Sequence, residues 1–354
     1  MKSNLKFFKK KKSIPCDEFF QNVLYDKKNG YYATKLPFGE KSDFITAPKI
    51  SNLFSEIIAI WIISAWETLG KPKNLNIIEL GPGDGSLTKV LLKVFEQFPE
   101  FNDAKKIYLY EVSDFLKNLQ KKNILNNKVK WIKTFKSINN SPAIFFGNEF
   151  FDAIPIKQFK YEKGMLFEKY YKFNKNKKIE EIFKKTSKKD VSMINSYKAL
   201  KNLKFIEFPK YGLEELKKIT KKISKVKGCL LMIDYGYLKP NNQNTLQSVM
   251  GHKKNNLLDN LGKADITAHV NFKLLSEFFK KNNLKVKKII SQERFLKNMG
   301  IIERAEIISK KMKFSDQSNV YLRLKRLLSS DLMGKLFKVV FAYKSKSNKF
   351  FGFN

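Results

Sequence analysis

Histidine, cysteine and arginine are all scarce in this 354-residue chain, and each scarcity removes a class of function. The two cysteines, Cys16 and Cys229, stand far apart with no Cys-x-x-Cys, and the only histidines are His252 and His269. A disulfide framework or a zinc finger is excluded, and no metal site built mainly of His and Cys is expected. Only four of the 70 basic residues are arginine (Arg294, Arg304, Arg323, Arg326), so the formal charge of +37 rests on lysine. Phosphate and base-edge recognition favours the forked guanidinium, whereas dispersed lysines are the ordinary furniture of solvated faces. Nucleic acid is therefore not an expected partner. Long apolar runs are missing too: the longest, Ile57 to Trp66, falls short of the roughly 20 residues a bilayer span needs, so no membrane insertion is expected. The opening MKSNLKFFKKKK has neither an apolar stretch with a cleavage site nor any arginine. It reads as a basic tail rather than a secretory or mitochondrial leader, on a cytoplasmic bacterial protein.

What is present is a core. Hydrophobic residues make up 43% and aromatics 14%, with 32 Phe, which excludes a disordered chain. Asp17 to Tyr25 has helical spacing, Asn29-Gly30 turns the chain, and Ser51 to Leu69 is apolar around most of its axis, the mark of a buried helix. From Leu75 the pattern becomes an α/β alternation, which predicts a parallel sheet covered on both faces. The strands expected are Leu75 to Leu80, Ile107 to Val112, Val129 to Ile132, Ala143 to Gly147, Cys229 to Asp234, Leu284 to Ile290 and Phe337 to Tyr343. That makes a Rossmann-like sheet of about seven strands. Helices are expected at Leu87 to Phe98 (with Ser86 as N-cap), Phe115 to Lys122, Leu213 to Ile223 and Phe272 to Lys281. Between Lys157 and Lys189 the residues alternate and become aromatic, which predicts an inserted β-hairpin region.

Chemistry concentrates at three places. Glu79-Leu80-Gly81-Pro82-Gly83-Asp84-Gly85-Ser86 joins a strand to a helix, and so glycine-rich a turn lets backbone approach a ligand and aims amides at it. A dinucleotide fingerprint would need a third glycine where Ser86 stands; the GxGxG form resembles motif I of class I S-adenosyl-L-methionine methyltransferases. Glu111, at the carboxyl end of the second strand, can accept both ribose hydroxyl protons. Asp84 reads more simply as a cap. Asn148-Glu149-Phe150-Phe151-Asp152-Ala153-Ile154-Pro155 leaves the fourth strand at the substrate edge, and its two carboxylates beside aromatic rings can hold a guanidinium or ammonium. The Asp/Asn-Pro-Pro-aromatic motif of nucleobase amino methyltransferases is missing at this place.

Taken in order, Gly30-Tyr31-Tyr32, Ser42 to Pro48, the Glu79 to Gly85 loop, Glu111-Val112-Ser113, Asn148 to Pro155, Asp234 to Tyr237, Thr245-Leu246-Gln247, Gly251-His252, Ala264 to Val270 and Phe295-Leu296 to Arg304-Ala305-Glu306 make a set. This set resembles the MidA-like family of class I methyltransferases, which includes a mitochondrial complex I assembly factor with protein-arginine methyltransferase activity. The resemblance runs from about Gly30 to the last strand. The chain departs from it at Ser42, Lys49, Ser55 and Lys263, where the family often has Gly, Glu, Gly and an acid.

The resemblance implies S-adenosyl-L-methionine as donor and a protein substrate, an arginine in a complex I subunit. The residue pattern itself is read as a basic tail and helical lid over 1–72 and a methyltransferase domain over 73–354, with the insertion at about 157–212. Donor binding is then expected of Glu79, Gly81, Gly83, Gly85, Glu111 and Asn148. An arginine acceptor keeps its proton in water, so Glu149 and Asp152 are expected to orient it and His269 to take the released proton, alone or paired with Asp265. Asp43, Thr46, Pro48, Asp234 and His252 are expected on the substrate or lid side. Two other readings stay open: a small-molecule or RNA methyltransferase on the same fold, and an assembly chaperone with a vestigial donor site.

Overall fold

The computed structural model describes residues 4–35, 46–174, 176 and 178–353, so Asp43 lies outside the described residues. The chain divides into two compact units. One comprises Met1–Phe44, Phe151–Lys217 and Tyr237–Phe278, the other Ile45–Phe150, Lys218–Gly236 and Phe279–Asn354.

The second unit is built on a mixed sheet. Seven of its strands are β1 (Leu75–Leu80), β2 (Lys105–Tyr110), β3 (Lys130–Ile132), β4 (Ala143–Asn148), β5 (Gly228–Tyr237), β6 (Lys285–Val286) and β7 (Phe337–Lys344). They follow the order β3-β2-β1-β4-β5-β7-β6. The first five run parallel, while β7 is antiparallel to β5 and β6 antiparallel to β7. Every residue of β1 is buried, as a central parallel strand covered on both faces requires. The chain moves outward from β1 to β3 and then returns to β4 on the other side of β1. This reversal makes the carboxyl ends of β1 and β4 the topological switch point, where open α/β sheets take their ligands.

The expected sixth strand, Leu284 to Ile290, is broken. Val286 pairs with Ala342 and Ile290 with Val339, so four steps on one strand face three on the other. One extra residue is thus accommodated as a bulge, which no periodicity announces.

Helix α1 (Asn52–Thr68) follows the short helix Ala47–Ile50, and its N-cap Ser51 accepts from Leu53 N at 3.2 Å. Eleven of its 17 residues are buried, and Trp61 meets Phe341 of β7 edge-on with ring centroids 5.5 Å apart. A helix apolar all round is thus a core layer of this unit. Helix α2 (Ser86–Phe95) leads away from β1, and α3 (Asp114–Ile124) joins β2 to β3, capped by Ser113 Oγ, which accepts from Leu116 N at 3.2 Å. Ser86 is not the cap of α2: Gly85 holds that position at φ +83°, and Ser86 is the first helical residue. The orphan amide of Ser86 is taken by Asp84 Oδ1 at 3.0 Å, so the capping acid lies two residues upstream.

The first unit contains the inserted β region. Lys157–Glu162 and Met165–Phe173 form an antiparallel hairpin whose turn, Lys163-Gly164, has φ of +49° and +76°. That is the left-handed pair a two-residue hairpin needs. Ile179–Lys185, Phe205–Phe208 and the N-terminal Ser13–Pro15 complete a five-stranded antiparallel sheet. Phe19 and Phe20 of the helix Cys16–Tyr25 pack on Tyr171 of that sheet, with centroids 4.7 and 5.6 Å away.

Candidate active site

At the carboxyl end of β1 the chain turns through three glycines in the left-handed region, Gly81 (φ +63°), Gly83 (+61°) and Gly85 (+83°). Two of them also answer a steric demand. A Cβ on Gly81 would stand 2.9 Å from the Phe150 ring, and one on Gly85 2.9 Å from Ile124 Cδ1. Side chains at these points would be strained and would push the loop off its supports. Gly81 N donates to Tyr110 O (3.1 Å) and Gly85 N to Pro82 O (2.9 Å), so the loop is fixed before any ligand arrives.

Four acids surround this turn. Glu79, buried at the end of β1, accepts from Thr88 Oγ1 of α2. Burial pushes its carboxyl up to about 7, Asp84 adding to the shift and the Thr88 hydrogen bond opposing it. Asp84, besides capping α2, pairs with Lys49 of the helix Ala47–Ile50. Glu111 follows β2 directly and is 6% exposed. Its Oε1 accepts from Ser113 N at 2.7 Å and its Oε2 from Gln120 Nε2 at 2.9 Å. Burial raises its pKa against these bonds and the charge of Lys133.

Glu149 is the fourth. It leaves β4 with φ +51°, an unusual value for a side-chain-bearing residue, held by Glu149 N donating to Ile233 O at 2.9 Å. Its Oε1 accepts from Asn148 Nδ2 (3.0 Å) and, more weakly, from Ala47 N (3.4 Å). Asn148 Oδ1 is buried with no hydrogen-bond partner among the described residues. The next residue, Phe150, is the one whose ring closes on Gly81, so Glu149 adjoins the glycine loop through one side chain.

Of the other expected residues, Thr46 holds the N-cap position of the helix Ala47–Ile50 without a side-chain bond to it, and Pro48 sits in its first turn, where no amide is missed. With Lys49 on Asp84 and Ala47 on Glu149, this segment touches the site at two points. Asp234 is buried in β5 opposite Lys338 and accepts from Tyr235 N at 2.9 Å. The first unit holds Asp152, His252 and His269. The Asp152 carbonyl accepts from Ala268 N (3.1 Å), and His269 N donates to Thr245 Oγ1 (3.0 Å). Asp265 accepts from the Tyr32 hydroxyl, 3.2 Å from either oxygen. His252 is exposed at the tip of the hairpin between Gln247–Met250 and Lys253–Asn255, in a turn with Gly251, both at positive φ. Sequence reasoning missed Lys49, Thr88, Gln120 and Asn123, all of which contact the loop or its acids.

Residues 57–290 match a family model described as "Putative S-adenosyl-L-methionine-dependent methyltransferase". The chain belongs to this methyltransferase family. S-adenosyl-L-methionine is accordingly its methyl donor and the fold that of a class I methyltransferase. Among curated relatives, the mitochondrial protein arginine methyltransferase NDUFAF7 of Xenopus tropicalis is 28% identical, over 92% of this chain and 81% of that protein. The Danio rerio protein of the same name is 26% identical, over 92% and 82%. A crystal structure of a protein from Burkholderia thailandensis described as a "likely methyl transferase", bound to S-adenosyl-homocysteine, shares the fold. Its TM-score is 0.81 at 21% identity, covering 100% of this chain and 92% of that one. The expectation of a cytoplasmic location, drawn from the basic first residues, is corrected by these relatives, which are mitochondrial by name. No helix among the described residues is long and apolar enough to cross a membrane.

The raised carboxyl of Glu79 makes a pH prediction. A carboxyl near 7 in the folded chain and near 4.5 in the unfolded one favours folding while protonated, so its contribution is complete below pH 4.5 and lost as pH rises through 7. Glu79→Gln, which cannot ionise, should escape that loss. Urea melts should show Glu79→Gln gaining on the parent protein by about 3 kcal/mol across the window, at about 1.36 kcal/mol per unit. A stability difference that does not change between pH 5 and 8 would dismiss the buried charge.

Proposed function

We propose that this methyltransferase acts on an arginine side chain of a protein, with a respiratory complex I subunit as the first acceptor to test. One observation carries the reading: Glu149 is a carboxylate in a strained conformation, pinned by Asn148 Nδ2 and adjoining the glycine loop through Phe150. Strain of this kind persists where the surroundings over-determine it, and it clusters at sites that must be preorganised. Protein arginine methylation, the activity for which the relatives are named, is one that such a carboxylate can serve.

The residues fit the donor. The three glycines hold the turn in the left-handed region at the end of β1, Glu111 presents a buried carboxylate at the neighbouring strand end, and Asn148 Oδ1 is a buried acceptor with no partner among the described residues. Glu79, Gly81, Gly83, Gly85, Glu111 and Asn148 would hold it. When bound, it supplies an electrophilic methyl group. This chain then has to align a nitrogen with that methyl and exclude water. Glu149 binds the guanidinium through charge-assisted hydrogen bonds and draws its positive charge away from the attacking nitrogen.

The test is methyl transfer from methyl-labelled S-adenosyl-L-methionine to an arginine-containing complex I subunit, followed by total hydrolysis. Label in methylarginine is expected. Label recovered in another amino acid, or only in small molecules, would refute arginine as the acceptor.

A further inference from the structure

We propose that Gln120 is a positioning residue for the methyl donor, its amide tying the glycine loop to Glu111 so that both are held as one unit. This rests on the reading that the loop and Glu111 hold the donor. Gln120 is fully buried in α3. Its Nε2 lies 2.8 Å from Gly83 O and 2.9 Å from Glu111 Oε2, and its Oε1 accepts from Trp131 Nε1 at 2.9 Å. An indole N–H can only donate, so Trp131 determines which end of the amide is oxygen. Both amide protons are thereby committed, one to loop backbone and one to the carboxylate.

The rest of α3 backs the same loop. Ile124 closes on Gly85, and Asn123 Nδ2 donates to Asp84 O at 2.9 Å. Only Gln120 among them reaches Glu111 as well. The carboxylate is gripped on one oxygen by Ser113 N and on the other by Gln120, and the Val112 amide donates to it as well. Releasing the Gln120 side frees a side chain that binding would have to order again, and affinity falls by that cost.

The experiment titrates S-adenosyl-L-methionine, and separately S-adenosyl-homocysteine, into the full chain and its Gln120→Met, Trp131→Phe, Asn123→Ala and Glu111→Ala variants. Titrations run between pH 5 and 8, with a thermal melt of each variant. Gln120→Met keeps the volume and removes the amide; it should weaken both ligands about tenfold or more. Trp131→Phe, which keeps an aromatic side chain but is smaller and loses the N–H, should weaken them a few-fold. Binding should also fade at higher pH in Gln120→Met than in the parent. The lost bond is one of those opposing the effect of burial on Glu111, while Lys133, the cation acting on it, keeps its 2.7 Å partner Asp114. Asn123→Ala should leave that midpoint in place.

A Gln120→Met protein with a lower melting temperature but unchanged affinity and midpoint would make the amide merely structural and overturn the proposal. Should that variant not fold, unchanged affinity in Trp131→Phe overturns it instead. Loss of binding in Glu111→Ala with none in the Gln120 and Trp131 variants removes Gln120 alone. Undiminished binding in Glu111→Ala removes the reading of Glu111 and this proposal with it.

Discussion

Glu149→Gln should bind S-adenosyl-L-methionine within about threefold of the parent protein and methylate its acceptor at least about a hundredfold more slowly. The substitution is nearly isosteric, so the strained backbone, the bond from Glu149 N to Ile233 O and the packing of Phe150 on Gly81 have no reason to change. What goes is the negative charge. A guanidinium holds its proton to pH values above about 12, and its nitrogens attack only when charge is drawn to the far side of the group. A neutral amide can neither compensate that cation nor localise it. The amide oxygen can stand in the place of Oε1 and keep the bond from Asn148 Nδ2, 3.0 Å in the parent, so the loss is one of charge. Single-turnover rates with saturating donor, measured beside donor affinity, separate the two effects. Turnover within a few-fold of the parent would take Glu149 out of the chemistry. A parallel loss of donor affinity would make it part of the donor site instead.

The pieces that could be read from the sequence are those whose signal is local. Strand β1 is six buried residues bounded by a glycine turn, and Glu111 stands where one helix and one strand after that turn must end. The hairpin of the inserted region announces itself through Lys163-Gly164 between alternating segments. What escaped depends on approach in space. Lys49 stands out only as a departure from the family pattern, with no role attached, until the chain brings it to Asp84. Thr88 is a hydroxyl in an amphipathic helix until it meets Glu79. Gln120 did leave a trace: Leu116, Gln120 and Ile124 are the buried positions of α3, spaced by four, so a polar residue interrupts an apolar stripe. An amide there has to find partners within the fold, because leaving them unmet costs about 1–3 kcal/mol. The bulge opposite β7 left no trace, since its extra residue is set by the register of a strand some fifty positions on.

Glu111→Ala should weaken S-adenosyl-L-methionine about a hundredfold or more while leaving a folded protein. Hydrogen bonds to a charged acceptor contribute roughly 1.5–3 kcal/mol each. A carboxylate facing two ribose hydroxyls makes two of them, and about 1.4 kcal/mol is a factor of ten. The expected loss is therefore larger than for any single amide of α3. Part of it is indirect, because alanine also strands Ser113 N and one proton of Gln120 Nε2, both now satisfied by the carboxylate. Glu111→Gln separates the two contributions. It keeps the size and one acceptor oxygen but sets an NH2 against a neighbouring donor, and it should lose nearly as much affinity as alanine if the ligand needs a carboxylate. The wild-type side chain adds a pH signature: burial raises its pKa, so binding should weaken as pH falls through that value, and neither variant should show the step. Calorimetric titration against pH reads both quantities at once. Full affinity in Glu111→Ala, with no step lost, would mean that the acid after β2 does not face the donor and that another group contacts the ribose.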